Sequence, residues 1–184
     1  MSVQKGKIGI FIDGNNLFYN AQQLSIEIDY NKLLKYVANK DQYSKAYFYG
    51  IIDSNNDKQQ GFYTWLRHNG FKVITKYYTN SNNFNSKDSK NSLDIELVVD
   101  LMKYKDVYDT MIIVGATSDI HPCLYYLQQN GIRVEFYGLK AQSIIDSVDV
   151  CIDLGDIKHL IGKQTATTYE KYTHMINSVK SNSE

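Results

Sequence analysis

The chain has few of the residues that mark a strongly charged surface, a disulfide framework or a zinc site. Its 20 basic residues balance its 20 acidic residues, and only two of the basic ones, Arg67 and Arg133, are arginines. No strong cationic field therefore indicates a nucleic-acid partner, and charge alone predicts no function. The two cysteines, Cys123 and Cys151, lie in apolar contexts without metal-ligand spacing. This favours reduced, buried thiols over disulfides or zinc ligands.

Long apolar runs are also absent. No stretch approaches about 18 apolar residues, and residues 1–7 lead directly into a short strand-like run instead of a signal-peptide segment. We therefore expect a cytoplasmic protein that does not associate with membranes. The length of 184 residues and the hydrophobic content of 43% fit one domain with a substantial core.

Short β-rich runs alternate with longer helical patterns along the chain. This alternation is typical of βαβ units and predicts an α/β fold with a mostly parallel central sheet and helices on both faces. Strands are predicted at residues 7–12, 46–52, 71–75, 111–114, 134–137 and 150–154. Helices are predicted from about Leu17, after Asp29, over 59–69, along the stripe of Leu93, Leu97 and Leu101, over 122–129 and over 144–148.

Two polar stretches interrupt or follow this alternation. Residues 77–91 are rich in Asn, Ser and Lys and have no core periodicity, which predicts a functional or mobile loop. We predict one domain over residues 1–160 and a polar C-terminal tail over 161–184. The tail's single weak apolar stripe could form a helix around 169–179, but it cannot form a core.

Three aspartates follow the ends of predicted strands. Asp13 comes directly after the first strand, Asp94 opens a helix after the polar loop, and Asp119 lies just past the strand that ends at Val114. Ligands of open α/β sheets bind at this carboxyl edge, where strand order reverses. Converging carboxylates repel one another, so the set implies a cation, and oxygen ligands favour Mg²⁺ or Mn²⁺ over zinc. Such an ion supports phosphodiester cleavage.

Three short motifs occupy these positions. They read FIDGNNL at 11–17, SLDIEL at 92–97 followed by Asp100, and SDI at 118–120 followed by Pro122 and a helix. Together they resemble the NYN domain family, the PIN-like group that includes LabA-like bacterial proteins, over roughly residues 7–156. The resemblance implies a PIN-like Rossmannoid sheet and metal-dependent RNA cleavage. It also implies that Asp13, Asp94 and Asp119 are catalytic, metal-binding carboxylates and that Asn16 positions the first motif and contacts phosphate.

The third motif departs from the family pattern at one position. The family usually has two acidic residues separated by one residue, whereas this chain has Thr117 at the first of them. The loss of a carboxylate is expected to weaken metal affinity, although a threonine can hold a metal-bound water. We count Thr117, Ser118 and, in the polar loop, Lys90 as candidate substrate-binding residues. Tyrosine pairs such as Tyr77-Tyr78 and Tyr125-Tyr126 could stack on single-stranded RNA, although most of the tyrosines are expected to pack in the core or at its rim.

Other interpretations remain open at this point. Each aspartate could simply cap a helix or shape a turn, because carboxylates are stable near helix N-termini in any protein. A catalytically inactive relative could bind RNA or a regulatory protein through the same cleft, or pair with a second copy, and Thr117 favours this alternative. A phosphatase with Asp13 as nucleophile is disfavoured by Asn15, where that class has a second aspartate. No Gly-x-Gly-x-x-Gly run indicates dinucleotide binding.

Overall fold

Apolar strand runs and amphipathic helices alternate through the part of the chain that the computed structural model describes, residues 6–38, 43–53, 55–77, 93–139 and 141–163. The strands are β1 (Ile8–Asp13), β2 (Tyr43–Ile52), β3 (Phe71–Tyr77), β4 (Thr110–Val114), β5 (Arg133–Gly138) and β6 (Val150–Asp153). The helices are α1 (Gly14–Gln23), α2 (Tyr30–Ala38), α3 (Asp57–His68), α4 (Asp94–Lys103), α5 (His121–Gln129) and α6 (Leu154–Ile161). Short 3₁₀ helices span Ser118–Ile120 and Ala141–Ser147.

The six strands form one parallel sheet in the order β3-β2-β1-β4-β5-β6. The chain therefore adds β2 and β3 on one side of β1, and then adds β4, β5 and β6 on the other side. The crevice between the carboxyl ends of β1 and β4 is the switch point at which such sheets bind ligands. The predicted α/β class with a parallel central sheet is confirmed.

The sheet separates two apolar cores, because successive side chains of a strand point to opposite faces. Ile8, Ile10 and Ile12 of β1 pack with α1, α2, α3 and α6 on one face. Phe11 packs with α4 and α5 on the other face. All six residues of β1 are buried, as expected for a central strand with helices on both sides.

The start of α1 differs from the prediction. The helix begins at Gly14, three residues before Leu17, because Asp13 accepts a hydrogen bond from the Asn16 backbone N–H and so acts as the N-cap. Gly14 is required there, since a Cβ at this position would lie 2.1 Å from Cζ of Phe48. The sequence Asp-Gly-Asn-Asn is thus the first turn of a helix that begins directly at the edge of the sheet.

The last predicted strand and the segment after it also differ from the prediction. The strand predicted over 150–154 ends at Asp153, whose side chain accepts a hydrogen bond from the Gly155 N–H and caps α6, a helix that was not predicted. Ile161 is fully buried, and the Lys163 N–H donates to the carbonyl of Glu27. Packed structure therefore continues to residue 163, and the helix predicted around 169–179 lies outside the described residues. Within the described part of the chain, no helix has the length and apolar character that a membrane crossing needs.

Candidate active site

Asp13 lies at the carboxyl end of the central strand β1, beside the switch point. It is buried, with 3% of its surface exposed. The Asn16 backbone N–H donates to Oδ1 at 3.0 Å, and Asn16 Nδ2 donates to Oδ2 at 2.5 Å. Both carboxylate oxygens are thus held by one residue of the next helical turn, which fixes the orientation of the group. A carboxylate has about four lone-pair sites, so the group can still bind a further partner.

Gly115, directly after β4, brings the second strand of the crevice close to Asp13. Its φ is +79°, in the left-handed region. A Cβ at Gly115 would lie 3.0 Å from the Asp13 carbonyl oxygen and 2.8 Å from the Leu17 Cβ. The approach of the two loops therefore depends on a residue without a side chain at this position.

Burial dominates the electrostatics of Asp13. Loss of hydration raises the pKa of the carboxyl, and the hydrogen bonds from Asn16 offset part of this rise. The negative charge of Asp94 raises the pKa further. Asp94 opens α4, which contacts both β1 and the 3₁₀ helix after β4. Two of the three predicted carboxylates therefore lie within electrostatic reach of each other.

The third predicted carboxylate is placed differently. Asp119 is exposed, in the 3₁₀ helix Ser118–Ile120 at the mouth of the crevice, and Ser118 is exposed beside it. Thr117 is half-buried, and its Oγ1 is enclosed without a hydrogen-bond partner among the described residues. A buried hydroxyl that lacks a partner costs free energy unless a ligand or water satisfies it. Lys90 lies outside the described residues.

The oxygen groups at this edge fit a divalent ion that is bound by fewer protein ligands than the three predicted aspartates. Within the described ranges, no three His, Cys, Asp or Glu side chains come together as a metal-binding group, so the three aspartates are not assembled into one cluster. Asp13 and Asp94 remain a pair, and Thr117 contributes a hydroxyl close to the same strand end. Mg²⁺ in particular often binds through one or two carboxylates, with waters and substrate phosphates completing its shell. The assignment of the three aspartates as metal ligands stays a prediction.

Two acidic residues of α4 have partners that the sequence did not reveal. Glu96 forms an ion pair with Lys76 at 2.8 Å, which lowers the pKa of Glu96. Asp100 accepts a hydrogen bond at 2.9 Å from the hydroxyl of Tyr49, a buried residue of β2. Both contacts hold α4 against the sheet and so help to position Asp94. Only knowledge of the strand order would have identified them, because the partners are distant in sequence.

The parallel sheet with buried Asp13 and half-buried Asp94 near its switch point defines a Rossmann-like α/β protein with a polar crevice. The model of the NYN domain matches residues 7–155. The chain therefore belongs to the NYN domain family, a family of PIN-like nucleases. The family predicted from the three motifs is confirmed.

Two further proteins are similar to this chain over most of its length. The chain is 29% identical over 171 residues to the Low amplitude and bright protein LabA of Synechococcus elongatus, and the match covers 89% of this chain and 91% of LabA. It also resembles the crystal structure of a protein of unknown function from Vibrio parahaemolyticus, with a TM-score of 0.71 and 26% identity. That match covers 84% of this chain and 96% of the other.

Proposed function

We propose that this protein is a metal-dependent ribonuclease whose activity is reduced by Thr117. The observation that carries the proposal is Asp13: a buried carboxylate at the switch point of an NYN domain, next to the negative charge of Asp94. Keeping an ionised carboxylate in such a place costs free energy. A cation bound between the two carboxylates would offset that cost. Helix capping alone would not, so we infer that the arrangement serves to bind a cation.

The residues of the crevice would have different roles in this reaction. Asn16 holds the Asp13 carboxylate through two hydrogen bonds, and Asp94 supplies the second negative charge. When bound there, Mg²⁺ or Mn²⁺ would activate water and neutralise charge on the phosphate. The Thr117 hydroxyl would orient a water, the exposed Ser118 hydroxyl would donate to the incoming RNA backbone, and Asp119 would hold the ion through bound water.

The reduced activity that we propose results from the hydroxyl of Thr117. A hydroxyl at this position supplies no negative charge, so an ion would be held by fewer anionic ligands than the usual family pattern provides. Two consequences follow: weaker metal binding and a slower reaction at a given metal concentration.

A second candidate function is an RNA-binding or regulatory module without catalysis. Two observations favour it, the hydroxyl of Thr117 and the exposed position of Asp119 outside any three-residue metal group in the described ranges. This candidate predicts RNA binding without turnover.

Cleavage of a labelled single-stranded RNA in Mn²⁺ distinguishes the two functions. The variants are Asp13→Asn, Thr117→Asp and, as a matched control, Asp106→Asn, which changes an aspartate whose side chain is 83% exposed. We expect cleavage by the unaltered protein, loss of cleavage in Asp13→Asn, no change in Asp106→Asn, and a gain of about 10-fold or more in Thr117→Asp. Absence of cleavage in every variant, with RNA still bound, would refute the ribonuclease and support the binding module.

A further inference from the structure

An apolar groove lies between α1, α2 and α3, on the face of the sheet opposite α4. It consists of two adjoining cavities of about 610 and 780 Å³, and Phe18, Tyr30 and Phe62 line both of them. Each cavity lies within the range of about 300–1,000 Å³ that is typical of binding sites. Neither is lined by a residue of the candidate active site, so the groove is a separate feature of the surface.

The groove presents apolar side chains to solvent. Phe18 is 58% exposed and Trp65 is 39% exposed. Trp65 lies nearly parallel to Phe62, with ring centroids 6.4 Å apart and an interplanar angle of 13°. All three rings and the partly buried Ile26 line the smaller cavity, so they form one contiguous surface. Contiguous apolar surface of this kind marks a place where another segment docks.

The described part of the chain ends at this groove. Lys163, its last residue, lines the smaller cavity. The Lys163 N–H donates to the Glu27 carbonyl at 2.7 Å, and its ammonium group pairs with the Glu27 carboxylate. The Gly162 carbonyl accepts a hydrogen bond at 3.1 Å from Lys32 Nζ. The exit of the chain is therefore fixed, and the segment 164–184 starts at the groove.

This C-terminal segment lies outside the described residues, but its sequence has the pattern of an amphipathic helix. Its large apolar residues are Tyr169, Tyr172, Met175, Ile176 and Val179. On an α-helix these five side chains lie within about 120° of one face, since each residue turns the helix by about 100°. A helix of this length is marginal in water on its own and is stabilised when its apolar face packs on a surface.

The charges of the groove complement those of the segment. The groove is lined by more anions than cations, namely Glu27, Asp29 and Asp53 against Lys58 and Lys163. In the predicted helix Lys171 and Lys180 lie at the two edges of the apolar face, whereas Glu170 lies on the opposite side. An apolar helix face with basic edges therefore fits this groove better than an anionic partner does.

We propose that the segment 164–184 folds back as an amphipathic helix and docks in this groove of its own chain. Its apolar face covers Phe18 and Trp65, a mode of recognition that many helix-binding grooves use. Residues 164–168 precede the apolar face and span up to about 18 Å, so the helix can lie along the groove. A short connection gives an effective concentration of about millimolar, which favours the chain's own segment over that of a second copy. Docking does not depend on the proposed ribonuclease activity.

Trp65 is the only tryptophan of the chain, so quenching of its fluorescence by acrylamide reports whether the groove is covered. The full-length protein is compared with Ile176→Asp, which places a charge in the apolar face of the segment. Asn177→Asp is the matched control, since it adds the same charge on the opposite side of the predicted helix. We expect Ile176→Asp to shift the emission of Trp65 to the red and to increase its quenching. Asn177→Asp should behave as the unaltered protein does.

Two further variants test the groove and the folding of the domain. A synthetic peptide of residues 164–184 should restore protection of Trp65 in the Ile176→Asp protein, and a peptide with the same substitution should not. Phe18→Ala should increase quenching in the unaltered background but change nothing further in Ile176→Asp, because both changes remove the same contact. Tyr125→Ala, which removes a tyrosine that is 49% exposed on α5, should leave quenching unchanged.

Equal quenching in the unaltered protein and in Ile176→Asp would overturn the proposed docking. An equal increase in Ile176→Asp and Asn177→Asp would overturn it as well, because protection would then not depend on the apolar face. Protection that is lost on dilution of the unaltered protein would identify the segment of a second copy as the occupant and would overturn docking within one chain. These measurements use neither RNA nor metal, so a failure of the ribonuclease proposal leaves their outcome unchanged.

Discussion

Asp13→Asn should make the metal-free protein more stable while it abolishes cleavage. Asp13 is buried, and both burial and the charge of Asp94 raise its pKa, so the ionised group costs free energy at neutral pH. Asparagine removes the charge, keeps the shape and still caps α1 about as well as aspartate does. One contact is lost or rearranged, the hydrogen bond from Asn16 Nδ2, because an amide N–H₂ cannot accept it.

Together these effects should give the Asp13→Asn variant a higher free energy of unfolding than the unaltered protein. Stabilising changes at functional sites commonly contribute about 0.5–2 kcal/mol, and we expect a net gain of about 1 kcal/mol near pH 7. The pH dependence follows from the direction of the pKa shift. Below the ordinary aspartate pKa of 3.8, Asp13 is protonated in both states and costs nothing. As the pH rises from 3.8 through the raised native pKa, the unfolded state releases its proton first and the native state loses stability.

Urea denaturation in EDTA at pH 5 and pH 7.5 measures this effect in both proteins. The difference in free energy of unfolding between Asp13→Asn and the unaltered protein should be at least as large at pH 7.5 as at pH 5. The denaturation is repeated with Mn²⁺ in place of EDTA. A ligand at 100 times its Kd stabilises the native state by about 2.7 kcal/mol, so metal binding is measurable as a gain in stability. The unaltered protein should gain stability on Mn²⁺ addition and the variant should not. A variant that is less stable at both pH values and equally stabilised by Mn²⁺ would refute the reasoning.

Two further predictions concern the structure around the site. Gly115→Ala should cost about 2–4 kcal/mol, because it adds a close contact with Leu17 and the Asp13 carbonyl to the strain of a positive φ, and it should also reduce cleavage. Gly131→Ala isolates the backbone strain, since its φ is +81° and no atom lies within 4 Å of the added Cβ, and it should cost only about 1–2 kcal/mol with cleavage unchanged. Equal losses of stability in the two variants would contradict this account of Gly115. Tyr49→Phe should cost about 1–3 kcal/mol in urea denaturation, because it leaves the partly buried Asp100 carboxylate without the Tyr49 hydroxyl. Tyr126→Phe, on the exposed face of α5, should change stability by less than about 0.5 kcal/mol, and a similar loss in both tyrosine variants would contradict the role of Asp100.

The fold was largely predictable because its strands are short, apolar and separated by helices. A central strand buried on both faces, such as β1, has no alternation and stands out in the sequence. The helix α6 was missed for a local reason. Leu154 directly follows β6 and was assigned to the strand, whereas the capping hydrogen bond of Asp153 marks Leu154 as the first residue of the helix.

The candidate site was less predictable, because its geometry depends on contacts between distant elements. Local patterns placed Asp13, Asp94 and Asp119 near strand ends and helix starts. They did not show that Asp119 would be exposed, since this depends on the path of the chain after Gly115.

We propose that this protein cleaves RNA and that Asp13 would hold the divalent ion that the reaction needs. The most direct test is to follow a labelled single-stranded RNA with the unaltered protein, first after EDTA treatment and then after Mn²⁺ is restored. We expect no cleavage in EDTA and its return with Mn²⁺, at a rate that rises with metal concentration, since Thr117 adds no anionic ligand to the site. Cleavage that continues unchanged in EDTA, or no cleavage at saturating Mn²⁺, would contradict it.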